Sequence, residues 1–393
     1  MWINNVLIED GFYNENEEVF VKTKNVSILI EDGHIKDITE EKKEGIDLKN
    51  HLVLPALIDN HIHLDKGFYG ADKFHAVVPK PSDNYVFHRI EEERNFLKDF
   101  LKYIDERANA LIDLITGNGA VKMRVQVNAD PVIELENYKK VKKVLLDNKD
   151  RLDFEMVAFV QHGLLGNEKI VENMLDQGCE ILGGLDPATI DYDIEKSLKT
   201  TFEIATKRDV PIDIHLHNQA SLGLYEIERL MYYIDKFNYK NKVTISHGLA
   251  LGSLNQKETK DMAKKFKDLG ISINSTVPLN SKRPDIITFA DCGIKVNIVN
   301  DNINDHWSPF GTGDLVERAS RAAEVFGQVS MKELCDMYKF ISITGDRKVE
   351  IGQKANLLFT SAKSSAELIA RNDKDRIVMK DGKFINRKFK SIK

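Results

Sequence analysis

Two histidines, His61 and His63, stand one residue apart in IDNHIHLDKGFYG (Ile58–Gly70), directly behind the apolar run Leu52–Ile58. On a β-strand, residues two apart point to the same face, so the pair presents two imidazoles side by side. The pairing recurs at His215 and His217 in IDIHLHN, a single His247 ends TISH, and Asp301 stands in NIVNDN. Three imidazoles (His61, His63, His215) and the Asp301 carboxylate make a ligand set for one Zn²⁺ or Fe²⁺, with a position left for water. A divalent ion lowers the pKa of such a water to roughly 7. Asp301 would take its proton, and His247 would hydrogen-bond the water or the developing oxyanion. The chemistry is metal-assisted hydrolysis.

The other histidines divide between site and scaffold. His217 shares a face with His215 and either binds substrate or packs. His75, in DKFHAVVPK, belongs to a loop able to fold over the site. His162, His34, His51 and His88 read as structural.

Eight apolar, β-branched runs position these groups: Leu52–His63, Lys122–Asn128, Phe154–Gln161, Ile181–Asp186, Ile212–His217, Val243–His247, Ile271–Val277 and Ile294–Asp301. Helical patterns separate most of them, including Val86–Ile115, Asp193–Asp209, Leu224–Phe237 and Gln256–Gly270. Continuously apolar strands alternating with helices indicate a parallel sheet covered on its faces. Eight such units indicate an α/β fold of the (β/α)8 TIM-barrel type, whose active site lies at the C-terminal strand ends. Six of the eleven histidines fall at those ends. An open doubly wound sheet is the competing fold, but no G-x-G-x-x-G follows the first barrel-type strand.

Strand-rich segments occupy both termini. Asp32-Gly33 and Asp381-Gly382 each separate two β-rich runs, a hairpin signal, and Ile351–Thr360 is a further strand candidate. The expected organisation is residues 1–52 and 346–393 forming a small β-sandwich domain around a barrel at residues 53–345.

The 393 residues are 42% hydrophobic and 30% charged, with net charge −6, which suits a soluble cytoplasmic protein with a large core. No basic block supports nucleic-acid binding; the lysine-rich Arg387–Lys393 reads as a solvated tail. No signal peptide or membrane helix is visible. Three scattered cysteines exclude a disulfide framework and a cysteine zinc site.

Taken together, HIHLDK (His61–Lys66), VAFVQHGLL (Val157–Leu165), IDIHLHN, VTISHG (Val243–Gly248) and NDNINDHWSPFGTGD (Asn300–Asp314) resemble the amidohydrolase superfamily along nearly the whole chain. The closest resemblance is to cytosine deaminase and its relatives, which include triazine-ring aminohydrolases; the Trp-x-Pro-x-Gly-Thr run is the most specific piece. The resemblance implies one metal on His61, His63, His215 and Asp301, with His247 assisting the water. It also implies Gln161 as a hydrogen-bond partner of the ring and Trp307 as a wall of the pocket. Binuclear members use a lysine on strand four, where this chain has LGGLD and none. One position departs from the pattern. The glutamate that relays protons in these deaminases, three residues after the strand-five histidine, is here Asn218, and an amide cannot shuttle a proton. The second acid after strand eight is likewise Asn302. Either His217 or another group supplies the proton, or Asp301 alone suffices, as in simpler amide-cleaving relatives. The expected activity is hydrolysis of a C–N bond in a small heterocycle or cyclic amide, by deamination, ring opening or alkylamine release. The alternative is a catalytically retired barrel that binds a heterocycle or metal. Barrels of this kind often form dimers, but no feature marks an interface.

Overall fold

The computed structural model describes residues 1–68 and 85–385, so His75 and Arg387–Lys393 lie outside the described residues. The chain begins with β1 (Trp2–Glu15), β2 (Glu18–Glu31), β3 (His34–Thr39) and β4 (Ile46–Pro55). Eight barrel strands follow: β5 (Leu57–Ile62), β6 (Ala120–Asn128), β7 (Asp153–Phe159), β8 (Ile181–Leu185), β9 (Ile212–His215), β10 (Val243–Ser246), β11 (Ser272–Ser275) and β12 (Val296–Ile298). The last three are β13 (Leu357–Thr360), β14 (Arg376–Lys380) and β15 (Lys383–Phe384).

Strands β5 to β12 pair in sequence order as an eight-stranded parallel sheet with helices between them, a nearly closed (β/α)8 barrel. The terminal strands form a separate seven-stranded sheet, ordered β15-β14-β13-β4-β1-β2-β3. Both Asp-Gly hairpins are present, at the β2–β3 and β14–β15 turns. The two units meet at a buried ion pair, Arg376 Nη1 to Asp314 Oδ1 at 2.8 Å. Asp314 also caps the helix Leu315–Val325 by accepting from the Val316 N–H.

Local signals set the helix limits. Asp193 caps the helix Ile194–Arg208. Asn255 and Glu258 form a capping box that opens Gln256–Leu269, which Gly270 ends in a left-handed turn; an N-cap contributes about 1 kcal/mol.

Two sequence expectations change. Leu52–His63 is not one barrel strand: it passes from the terminal sheet into the barrel at Ala56. Pro55 has no N–H for a ladder, and the Ala56 N–H bonds the Asn356 carbonyl at 2.8 Å, outside the barrel. Val86–Ile115 is not one helix but three: Tyr85–Arg94, Leu97–Phe100 and Ile104–Gly117. The breaks let Leu97 and Phe100 pack with Ile133, while Ile90 packs with Phe159, Leu185 and Ile190 near the C-terminal ends of β7 and β8. That second contact sets the helix Tyr85–Arg94 against the active end of the barrel.

Candidate metal centre and pocket

The strand ends deliver the expected side chains to one place. His61 lies near the end of β5 with His63 just beyond it, and His215 ends β9. His247 and Asp301 follow β10 and β12 in left-handed backbone, with φ of +68° and +64°. Such conformations in non-glycine residues cluster at functional sites, where surrounding bonds hold them. Here the His247 N–H bonds the Asn274 carbonyl, and the Asp301 N–H bonds the His61 carbonyl, both at 2.9 Å.

Asp301 Oδ1 stands 3.1 Å from His63 Nε2 and 3.4 Å from His61 Nε2. The His215 ring lies 4.5 Å from that of His61 and 5.8 Å from that of His63, centroid to centroid. Ligand atoms of His61, His63 and Asp301 all fall within 4.8 Å of one another, as do those of His61, His215 and His247. His215 is 2% exposed, and among the described residues neither of its ring nitrogens has a hydrogen-bond partner. His247 Nε2 is also buried without one. Burial, reinforced by neighbouring imidazoles, holds His215 well below the ordinary histidine pKa; burial does the same for His247. Buried imidazoles that offer nitrogens without a partner among the described residues fit a cation better than a structural role.

A hydrogen-bond chain orients His61. The Ser246 hydroxyl donates to Asp213 Oδ1 at 2.6 Å, and Asp213 Oδ2 accepts from Arg124 Nη1 at 3.0 Å. With its proton committed, Ser246 Oγ accepts from His61 Nδ1 at 3.0 Å. His61 Nε2 is then the lone-pair nitrogen, and it faces the Asp301 carboxylate. A cation between them relieves that juxtaposition, the usual arrangement around a metal-bound histidine.

His217 is partly exposed, 4.3 Å from the His247 ring, and bonds Asp186 Oδ2 through Nδ1 at 2.8 Å. Although burial opposes its charge, the Asp186 carboxylate raises its pKa above the ordinary value. Asn218 donates to Glu226 Oε2 at 3.0 Å. Glu226 is 1% exposed, and burial, with Asp186 nearby, pushes its carboxyl up to about 7.

Beyond Phe159, whose ring lies 4.3 Å from that of His215, is a second polar group. The buried Gln161 donates from Nε2 to Glu93 Oε2 at 2.7 Å and accepts from Lys66 Nζ at Oε1. The Trp307 indole N–H also bonds Glu93 Oε2. Gln161 and Trp307 therefore lie together, with the glutamine amide engaged at both ends within the protein. His162 pairs instead with Asp130, at 2.6 Å. His34 and His51 bond backbone carbonyls in the terminal sheet.

Sequence reasoning missed Glu93, Ser246, Asp213, Asp186 and Glu226. Glu93 lay inside an ordinary amphipathic pattern. Ser246 carried one signal, its place immediately before His247 at a strand end.

No protein-family model matches the chain. It is 33% identical to YahJ, an uncharacterised protein of Escherichia coli K12, over 378 residues, 94% of this chain and 81% of that one. It is 29% identical to the N-isopropylammelide isopropyl amidohydrolase of Pseudomonas sp. strain ADP over 359 residues, 87% of this chain and 88% of that one. The crystal structure of N-isopropylammelide isopropylaminohydrolase from Burkholderia multivorans superposes with a TM-score of 0.84 at 25% identity, covering 97% of this chain and 98% of that one. The chain belongs to the amidohydrolase superfamily, alongside its deaminase-like members. It is a hydrolase of carbon–nitrogen bonds other than peptide bonds. No helix among the described residues is long and apolar enough to cross a membrane.

Proposed function

We propose that this protein is a single-metal hydrolase that releases ammonia or an alkylamine from a ring carbon of a small heterocycle. One observation carries the reading: His61 belongs to two close sets of possible ligands, one with His63 and Asp301 and one with His215 and His247, and among the described residues neither His215 nitrogen has a partner. The relative named for N-isopropylammelide supports a ring substrate bearing a displaceable amine.

His61, His63, His215 and Asp301 would hold one Zn²⁺ or Fe²⁺. When bound, the ion supplies Lewis acidity that brings a water pKa to roughly 7. Asp301 accepts the proton of the attacking water. His247 hydrogen-bonds the oxygen on which charge develops. As water adds to the ring carbon and the C–N bond breaks, the leaving nitrogen needs a proton. Asn218 has none to give, so the role falls to His217, held by Asp186, whose carboxylate favours the protonated imidazole. Asp186 thus works through His217 as an orienting carboxylate. Trp307 and the Lys66–Gln161 pair form the far side of the pocket. Unpaired cysteines, with Cys179 and Cys335 buried, support a cytoplasmic location.

The test is release of ammonia or alkylamine by protein reconstituted with Zn²⁺ or Fe²⁺, across aminopyrimidines, purines, pterins and amino- or alkylaminotriazines. Steady release with one ion per chain is expected. Stoichiometric metal without release from any ring would overturn the reading in favour of a retired barrel.

A further inference from the structure

We propose that a cavity at the base of the barrel, where the first and last strands part, binds a small organic anion: a carboxylate or phosphate group on an apolar body. None of the metal-cluster residues lines it, and the inference does not depend on the hydrolytic reading. Strands β5 and β12 meet at their C-terminal ends, where the Asp301 N–H bonds the His61 carbonyl. Toward the base, among the described residues, β5 turns away from β12. Leu57 bridges to Ser342, and the Ile58 N–H bonds the Ile341 carbonyl at 2.9 Å. A cavity of about 310 Å³ opens in the gap, lined by Ile58 and Asn60 of β5 and by Val296 and Asn297 of β12. Sites for small molecules begin at about that volume.

The lining names the ligand. Lys295 and Lys339 both contribute to it, and no aspartate or glutamate does. Lys339 Nζ rests 4.9 Å from the Phe340 ring centroid, and among the described residues neither lysine pairs with a carboxylate. The whole chain carries a net charge of −6, so its overall field does not draw anions; the attraction here is local. A recess with cations of one sign beside low-dielectric walls focuses potential in this way. Asn60 supplies the second observation. It is 6% exposed, yet its side-chain amide has no hydrogen-bond partner among the described residues. Asn297 is different, since it donates to Asn274 Oδ1 at 2.8 Å. A buried amide left unpaired is costly, and the N–H donors of Asn60 open onto the same space as the two ammonium groups. Ile58, Val296 and Phe340 add apolar lining. Water or a bare inorganic ion uses none of that surface. An oxyanion with an apolar body uses both halves.

The experiment is calorimetry on the zinc-loaded full chain at physiological salt, which screens non-specific attraction. The probes are benzoate, phenyl phosphate and benzylamine, the last an aromatic ring carrying the opposite charge. At least one of the two anions should bind once per chain with Kd below about 1 mM, an affinity ligands of this size reach readily. Whichever binds more tightly identifies the favoured anionic group. Benzylamine should bind at least about tenfold more weakly, because both lysines repel it. Lys295→Met and Lys339→Met should each weaken the anion by at least about tenfold, the low end for a hydrogen bond to a charged group. Ala290→Phe places a ring in the cavity, keeps both lysines and should abolish binding. Asp301→Ala should leave the affinity within about threefold, as expected of separate sites. Four results would each overturn the proposal: no saturable binding of either anion, equal binding of benzylamine, unchanged affinity in both lysine variants, or binding lost in Asp301→Ala. The last would put the anion on the metal instead.

Discussion

The backbone N–H of Asp301 donates to the carbonyl of His61 across 2.9 Å, and that bond joins the last barrel strand to the first. Among the described residues, the bridge linking Ile62 with Asp301 is the ladder contact recorded at this seam. Nearer the base, β5 turns to the chain after the barrel helices, with Ile58 N–H bonding the Ile341 carbonyl at 2.9 Å. One residue before Asp301, Asn300 adds a clamp through Nδ2 to Asp59 Oδ2 at 2.8 Å. Closure of the barrel and assembly of the metal-binding cluster are therefore one structural event. The left-handed backbone at Asp301 lets it join the ladder through its N–H while its carboxylate meets His61 and His63.

Because the closing bond uses the backbone, Asp301→Ala should leave the barrel intact while removing the carboxylate. His61→Ala likewise keeps the accepting carbonyl. Each variant should lose more than about a hundredfold in metal affinity, beyond the 10–100-fold typical of an outer partner. Turnover should fall by several orders of magnitude, with far-UV circular dichroism preserved. Metal content after dialysis, measured beside kcat/KM, decides the matter: near-normal turnover in either variant would show that the ligands are misassigned.

Ser246 touches no ligand atom on the metal side, yet it fixes which nitrogen of His61 carries the proton. Ser246→Ala removes the acceptor for Nδ1–H and leaves Asp213 short of a donor. Metal affinity should drop by about 10- to 100-fold, as for other outer-shell partners. A chelator-competition titration reads this directly. Unchanged affinity would mean that the Asp213–Ser246–His61 chain serves the barrel core alone.

Much of this was legible before the structure. The eight strand runs, the two Asp-Gly turns and the clustering of His61, His63, His215, His247 and Asp301 rest on local signals: apolar runs, turn residues and position at a strand end. What escaped depends on contacts between distant segments. Glu93 and Gln161 are 68 residues apart, and Ser246 and His61 are 185 apart; no spacing rule links them. The break after Arg94 was hidden because Phe96, Leu97 and Phe100 continue a helical pattern, and their turn toward Ile133 exists only in three dimensions. That the chain changes sheets after Pro55 depends on the Ala56 N–H meeting the Asn356 carbonyl, 300 residues further on.

His217 is expected to carry the proton to the leaving nitrogen. His217→Ala should lower kcat by about 10²- to 10⁴-fold, the usual contribution of a general acid, with one metal ion still bound. Asp186→Asn should lower it less, since the imidazole remains while its charge loses support. Metal analysis alongside steady-state kinetics separates this from ligand loss. A kcat for His217→Ala within threefold of the natural enzyme would return the role to Asp301.

Glu226 gives the fold a pH dependence that Asn218 helps to explain. The glutamate expected at position 218 would bring a second carboxylate against Glu226, with Asp186 already beside it; the neutral amide instead donates to Glu226 at 3.0 Å. The Glu226 pKa is raised from 4.5 to about 7, chiefly by burial. Below pH 4.5 the group is protonated in both folded and unfolded chains and costs nothing. Between pH 4.5 and 7 the unfolded chain releases this proton while the folded chain keeps it, so stability falls as pH rises and levels off above 7. Glu226→Gln escapes that loss, so its thermal midpoint should overtake the natural protein's between pH 5 and pH 8. The full difference approaches about 3 kcal/mol. Asn218→Glu should lower the midpoint, and adding Glu226→Gln should recover most of it, the non-additivity expected of two groups in contact. Paired melts at pH 5 and pH 8 give the answer: a constant offset between natural protein and Glu226→Gln would mean that Glu226 is already ionised at pH 5, held by Asn218 and the Ala188 N–H at 2.8 Å.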